Sequence, residues 1–225
     1  MSITVLNDLT FEREGSSFKE VYPVKGLCMC SPDEKFAYIP ITRCGSILLL
    51  EYFSSQYNWK LKNFYSLLDT TKFFTVLRNP FERWVSGFWV GNDESFYPKD
   101  AGRDPLMHQG FYNLYDNSHR KKISEDFSLQ DPHTSLQISM LEGVDKDNIT
   151  YFNFDSVNFQ KEILHYIGNI MQSEPKPFLK EWQKPTKRKN MYFTVKRDRK
   201  FYESLLKYLQ PDVDFISTCK FYDQQ

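Results

Sequence analysis

Charge of one sign is the first thing this sequence lacks. Its 29 lysines and arginines are matched by 29 aspartates and glutamates. No global field therefore draws the chain to nucleic acid or to an anionic membrane, and any anion site has to be built locally. Long apolar runs are missing as well: no stretch approaches the roughly 18 consecutive apolar residues that a membrane-spanning helix needs. The stretch SITVLNDLTFEREG has neither the basic start nor the apolar centre of a signal peptide. A soluble, cytoplasmic chain without nucleic-acid or membrane partners is the expectation. Glycine is scarce, at 9 of 225 residues, and low-complexity tracts and internal repeats are absent, so a single domain over residues 1–225 with a sizeable core is expected.

Cysteine is sparse too. Cys28, Cys30, Cys44 and Cys219 can pair on paper, but a domain of this size needs no covalent staples and an intracellular setting keeps thiols reduced. Cys28-Met-Cys30 has no second ligand pair nearby, so small buried thiols are expected and no metal.

What the chain does have is aromatic and β-branched runs, each followed by helical spacing. KFAYIP (35–40), TKFFTVL (71–77) and NITYFNF (148–154) read as strands. SILLLEYFSSQY follows the first. After the second, Phe81, Trp84, Val85 and Phe88 fall on one helical face; after the third, Phe159, Ile163, Tyr166 and Ile167 do the same. Strands alternating with helices predict an α/β fold with a parallel sheet covered on both faces. The segment from Gly91 to Asp131 is less regular, with DPLMHQGFYNLYDN read as a helix. A basic run, 184–200, precedes FYESLLKYL, a helix that Pro211 is expected to stop.

Ligands of open parallel sheets sit beyond the carboxyl ends of the strands, so the strand-to-helix junctions are where chemistry is sought. At the second junction, Asn79 reads as a helix N-cap, Pro80 as the first helical residue and Glu82 as the partner that reaches back to the cap. Arg78 then stands at the strand's end beside a helix N-terminus, where its guanidinium can serve a phosphate or pair with a carboxylate. Ser86 lies off the apolar stripe, a possible further donor. The first junction has the same logic: Thr42, Arg43, Cys44, Gly45 and Ser46 form a small, polar loop that opens a helix, with backbone amides able to cradle a phosphate-like group. A Walker A sequence is missing, which argues against a kinase.

These residues resemble the sulfotransferases that use 3′-phosphoadenosine 5′-phosphosulfate, especially the carbohydrate-type and the phage or bacterial members. TVLRNPFERWVSGF is similar to that family's 3′-phosphate motif, YIPITRCGSI to its 5′-phosphosulfate loop, and DPHTSLQISML to a D-x-H-x-x-x-Q segment. The resemblance spans about residues 35 to 155. It implies a P-loop-like, three-layer α/β fold with a central parallel sheet flanked by helices. It also implies transfer of a sulfuryl group from that donor to a hydroxyl, on a carbohydrate or other small acceptor, leaving adenosine 3′,5′-bisphosphate. Carried over, Arg78 and Ser86 hold the 3′-phosphate and residues 42–46 the phosphosulfate. The basic tail closes over the nucleotide's phosphate, through Arg188 with Lys187 and Lys189 or equally through Thr186 or Asn190. The family's loop carries lysine directly after the proline, where this chain has Ile41; Arg43 is the candidate to replace that lysine in stabilising the leaving phosphate oxygen. His133, in the D-P-H segment, is the candidate general base, with a capping or core histidine as the other reading; His108 is second. A nucleotide-binding protein that has lost catalysis with the lysine is the rival function.

Overall fold

The computed structural model describes residues 10–11, 20–21, 25–67, 69–91, 121, 123–129, 133–178 and 195–223. Its strands are β1 (Thr10–Phe11), β2 (Glu20–Val21), β3 (Leu27–Cys30), β4 (Phe36–Ile39), β5 (Lys60–Asn63), β6 (Lys72–Leu77) and β7 (Ile149–Asn153). Its helices are α1 (Ser46–Tyr57), α2 (Pro80–Gly91), α3 (Gln137–Met140), α4 (Phe159–Met171) and α5 (Arg199–Thr218). The chain divides into two compact units. One comprises Met1–Val76, Met140–Leu179 and Phe221–Gln225, the other Leu77–Ser139 and Lys180–Lys220.

The first unit holds a five-stranded sheet in the order β5-β3-β4-β6-β7, and β1 pairs separately with β2. All three runs read as strands from the sequence are strands: β4, β6 and β7. The sheet, however, is mixed rather than parallel. β4 and β6 run parallel, with Ile39 opposite Thr75, whereas β3 is antiparallel to both β4 and β5. β3 went unread because its four residues, Leu-Cys-Met-Cys, are all buried and so show no alternation. A tight turn joins it to β4: the Ser31 hydroxyl donates to Asp33 and accepts from the Phe36 N–H, while Glu34 adopts a φ of 58°. β5, Lys-Leu-Lys-Asn, lies at the edge of the sheet, and charged side chains there discourage pairing with another chain.

The interior of this unit is aromatic. Phe53 of α1 stacks on Trp59 with ring centroids 4.5 Å apart, and Tyr38 and Phe74 from the two parallel strands pack against each other at 5.4 Å. Residues Phe73 to Leu77 of β6 are buried on both faces, and the one polar side chain among them, Thr75, donates to the Ile39 carbonyl at 2.8 Å. Burial with hydrogen bonding satisfied is the condition for a polar residue in a core strand. α1 stops where Asn58 turns left-handed, its N–H bonded to the Phe53 carbonyl.

In the second unit, Trp84, Val85 and Phe88 of α2 share a core with Phe201, Leu205 and Leu209 of α5. The apolar face read from the sequence is therefore the buried one. Phe81, at its margin, is half-buried against Tyr202, and the Lys196 ammonium sits over both rings. The expected stop at Pro211 is a correction: α5 runs through it to Thr218. Proline cannot donate to the Lys207 carbonyl, yet both residues lie on the exposed side of the helix, and the turns on either side stay anchored by buried Leu205, Leu209 and Asp212.

Candidate functional site

At the first junction, β4 ends at Ile39 and the chain turns through residues 42–45 into α1. The Cys44 N–H closes the turn on the Ile41 carbonyl at 3.2 Å. Arg43 has a φ of 66° and Gly45 one of 77°, while Cys44 between them stays in the ordinary negative range. Alternating handedness of this kind turns successive N–H groups toward one concave side, the geometry that receives anions. Gly45 suits its position because it lacks a Cβ, whereas a left-handed arginine costs on the order of 1 kcal/mol. α1 starts without a side-chain cap, since its N-cap is Gly45, which leaves first-turn N–H groups to serve a ligand. Thr42, Cys44 and Ser46 are buried, and Arg43 is the partly exposed side chain of the loop. Ile41 is 0 % exposed. The residue that stands where the resembling family carries lysine is thus a core side chain.

At the second junction the Asn79 cap and the Pro80 helix start are built as their residues predict. The Asn79 side chain accepts the Glu82 N–H at 3.1 Å, the Asn79 carbonyl accepts the Arg83 N–H, and Pro80 opens α2. Glu82, expected to serve the cap, turns its carboxylate to Arg78: guanidinium and carboxylate are 3.2 Å apart, one helical turn from each other. The Arg78 side chain is only 10 % exposed and has the carboxylate partner that one of the two sequence readings expects, while its backbone stands between the end of β6 and the start of α2. Ser86 is buried on α2.

His133 is also buried. Its backbone presses on α2, so closely that a Cβ placed at Gly87 would lie 2.0 Å from the His133 carbonyl oxygen. Only glycine allows this approach. The residues after it are tied down in turn: the Thr134 hydroxyl donates to the Ser128 carbonyl, the Thr134 carbonyl accepts from Tyr208, and buried Arg83 donates to the Ser135 carbonyl. Arg188, Lys187, Lys189, Thr186, Asn190, His108 and Asp131 lie outside the described residues.

Two residues of this unit escaped the sequence reading, Arg83 and Asp212, and Gln137 figures there only as the last residue of the D-x-H-x-x-x-Q segment. The Gln137 amide brackets the backbone of Arg78, its oxygen accepting the Arg78 N–H at 3.0 Å and its nitrogen donating to the Arg78 carbonyl at 2.8 Å. Asp212, 0 % exposed, accepts the N–H of Gln137 at 2.8 Å and of Ile138 at 2.9 Å, one on each carboxylate oxygen. Burial pushes its pKa above the usual carboxylate value, partly offset by those two bonds. The signal for Asp212 was available: Phe201, Leu205, Leu209 and Asp212 form the buried stripe of α5, and a charge on an apolar stripe calls for a partner.

Among the described residues no group of three or more His, Cys, Asp or Glu side chains is placed to hold a metal ion, and no helix is long and apolar enough to cross a membrane. Searches against protein-family models, curated proteins and solved structures find no match to the chain.

Proposed function

We propose that the protein is a sulfotransferase, taking a sulfuryl group from 3′-phosphoadenosine 5′-phosphosulfate and delivering it to a hydroxyl, on a carbohydrate or another small acceptor. The observation that carries this reading is the parallel pairing of β4 and β6, with Ile39 opposite Thr75. β4 leads through the Arg43 turn into α1, and β6 is followed along the chain by Arg78 and the start of α2, each a strand-to-helix junction of the kind that binds phosphate groups. The strained turn at Arg43 and the uncapped start of α1 suit the phosphosulfate. The family resemblance assigns Arg78 and Ser86 to the 3′-phosphate. On this reading the sheet and its helices would belong to the P-loop-like, three-layer class.

In the reaction, the acceptor oxygen attacks sulfur in line. An O–S bond forms as the bond from sulfur to the 5′-phosphate oxygen breaks, and adenosine 3′,5′-bisphosphate departs with that electron pair. Arg43, a permanent cation on the loop, stabilises the charge growing on the leaving oxygen. His133 is the assigned acceptor of the hydroxyl proton. Arg188 is assigned to the nucleotide through the family resemblance.

A second reading is favoured by one specific observation, the buried Ile41. A loop whose leaving-group position is apolar suits a protein that binds the nucleotide without turning it over, in a recognition or regulatory role. Isothermal calorimetry with adenosine 3′,5′-bisphosphate, set against ATP, tests both readings. Wild-type protein is expected to bind the bisphosphate, and Arg78→Ala to lose about 2 kcal/mol or more of that binding, the scale of a charged hydrogen bond. Unchanged affinity in Arg78→Ala removes the assignment. Release of inorganic sulfate from the donor, or sulfation of an acceptor, then separates the enzyme from the binder.

A further inference from the structure

The D-x-H-x-x-x-Q segment contributes more than a candidate base, because its last residue, Gln137, makes two hydrogen bonds to the main chain of Arg78. Arg78 is the first residue past β6. Leaving the sheet, its N–H and C=O lose the ladder partners that a strand residue has, and a half-buried backbone group without a partner is costly. The Gln137 amide supplies both partners at once, an acceptor for the N–H and a donor for the carbonyl, and so imitates one rung of a β-ladder. Only one orientation of the amide satisfies both bonds.

Gln137 is itself fixed. Its side chain is fully buried, and its backbone N–H and that of Ile138 end on the two oxygens of Asp212. A buried carboxylate with both oxygens engaged anchors the start of α3 to α5. The chain of contacts runs Asp212, Gln137, Arg78 main chain. At the other end of the Arg78 side chain, Glu82 holds the guanidinium. A long side chain that is free to wander loses on the order of 1 kcal/mol when a ligand immobilises it. Held at root and tip, Arg78 meets an anion with that cost already met.

We infer that Gln137 is a positioning residue for Arg78, setting the backbone from which the guanidinium reaches a 3′-phosphate, and that Asp212 keeps Gln137 in place. This rests on the proposed assignment of Arg78 to the 3′-phosphate. It assigns Gln137 no contact with the nucleotide and predicts that the effect is confined to one end of it.

The test is a titration of wild type, Gln137→Met and Gln137→Asn with adenosine 3′,5′-bisphosphate and with adenosine 5′-monophosphate, each variant checked by thermal melting. Methionine keeps the length and removes both bonds; asparagine keeps the amide and is too short to bridge both groups. Wild type is expected to prefer the bisphosphate. In either folded variant that preference should fall about tenfold, while affinity for the 5′-monophosphate stays within about twofold. A variant that keeps the wild-type preference overturns the positioning role, and so does an equal loss for both nucleotides, which marks a general structural role. Wild type that shows no preference overturns the assignment of Arg78 and the inference with it, so the two failures are told apart by the wild-type titration alone.

Discussion

At position 41 a single side chain separates two kinds of loop. Where the resembling family places a lysine ammonium, this chain buries isoleucine completely. Introducing the lysine therefore has a cost that the sequence alone hides, because the ammonium would have to enter an apolar interior or force the loop open. Ile41→Lys is expected to lower stability by roughly 2–4 kcal/mol, read as a drop in melting temperature, without creating donor hydrolysis. A variant with wild-type stability and raised sulfate release would show instead that side chain 41 reaches the reacting phosphate. Arg43 differs: it is partly exposed and held at a φ of 66°, so among the loop's charged and polar side chains it is the one in a position to act on a ligand from solvent.

Elements carry the next level of the argument. α2 is a helix with its cap, its first-turn proline and its apolar face all legible in its residues, and α1 occupies Ser46–Tyr57, the run read as helical. α5 is the counterexample. Local rules stop it at Pro211, and tertiary contacts carry it on, through burial of Leu209 and the two bonds accepted by Asp212. That carboxylate gives α5 a pH signature. Its folded-state pKa lies above the ordinary 3.8 because of burial. Between the two values the folded state keeps a proton that the unfolded state has released, so stability falls as pH rises through that window. Melting temperatures from about pH 4 to pH 7 should decline more steeply for wild type than for Asp212→Asn, which does not titrate. A wild-type curve that instead rises relative to the variant would mean that the carboxylate is stabilised as an anion, with the Arg83 cation contributing.

At the scale of the whole molecule, the balance of 29 basic and 29 acidic residues leaves ligand attraction to local turns, and the thiols report on the core. Burial pushes Cys28 up to about 12 and Cys30 up to about 11. Thiolate, not thiol, reacts with alkylating agents, so both should label only when the protein unfolds, while the half-buried Cys219 labels in the native state. Mass spectrometry of peptides after brief alkylation at pH 8 checks this. Rapid native labelling of Cys28 and Cys30 would contradict a buried β3, the strand that the sequence pattern did not disclose.

By itself the sequence determined the elements whose information is local. Strands with β-branched and aromatic runs, the Asn79-Pro80 helix start and the apolar face of α2 all follow from neighbours within a few residues, and there the physics of caps, periodicity and turns is sufficient. Tertiary structure alone decided which strands flank the parallel pair, whether side chain 41 faces core or solvent, how far α5 runs past its proline, and that Gln137 reaches Arg78 across 59 residues of chain and Asp212 reaches Gln137 across 75. Those outcomes depend on burial and on hydrogen-bond partners distant in sequence, and a one-dimensional pattern has no term for the desolvation that makes such partners obligatory.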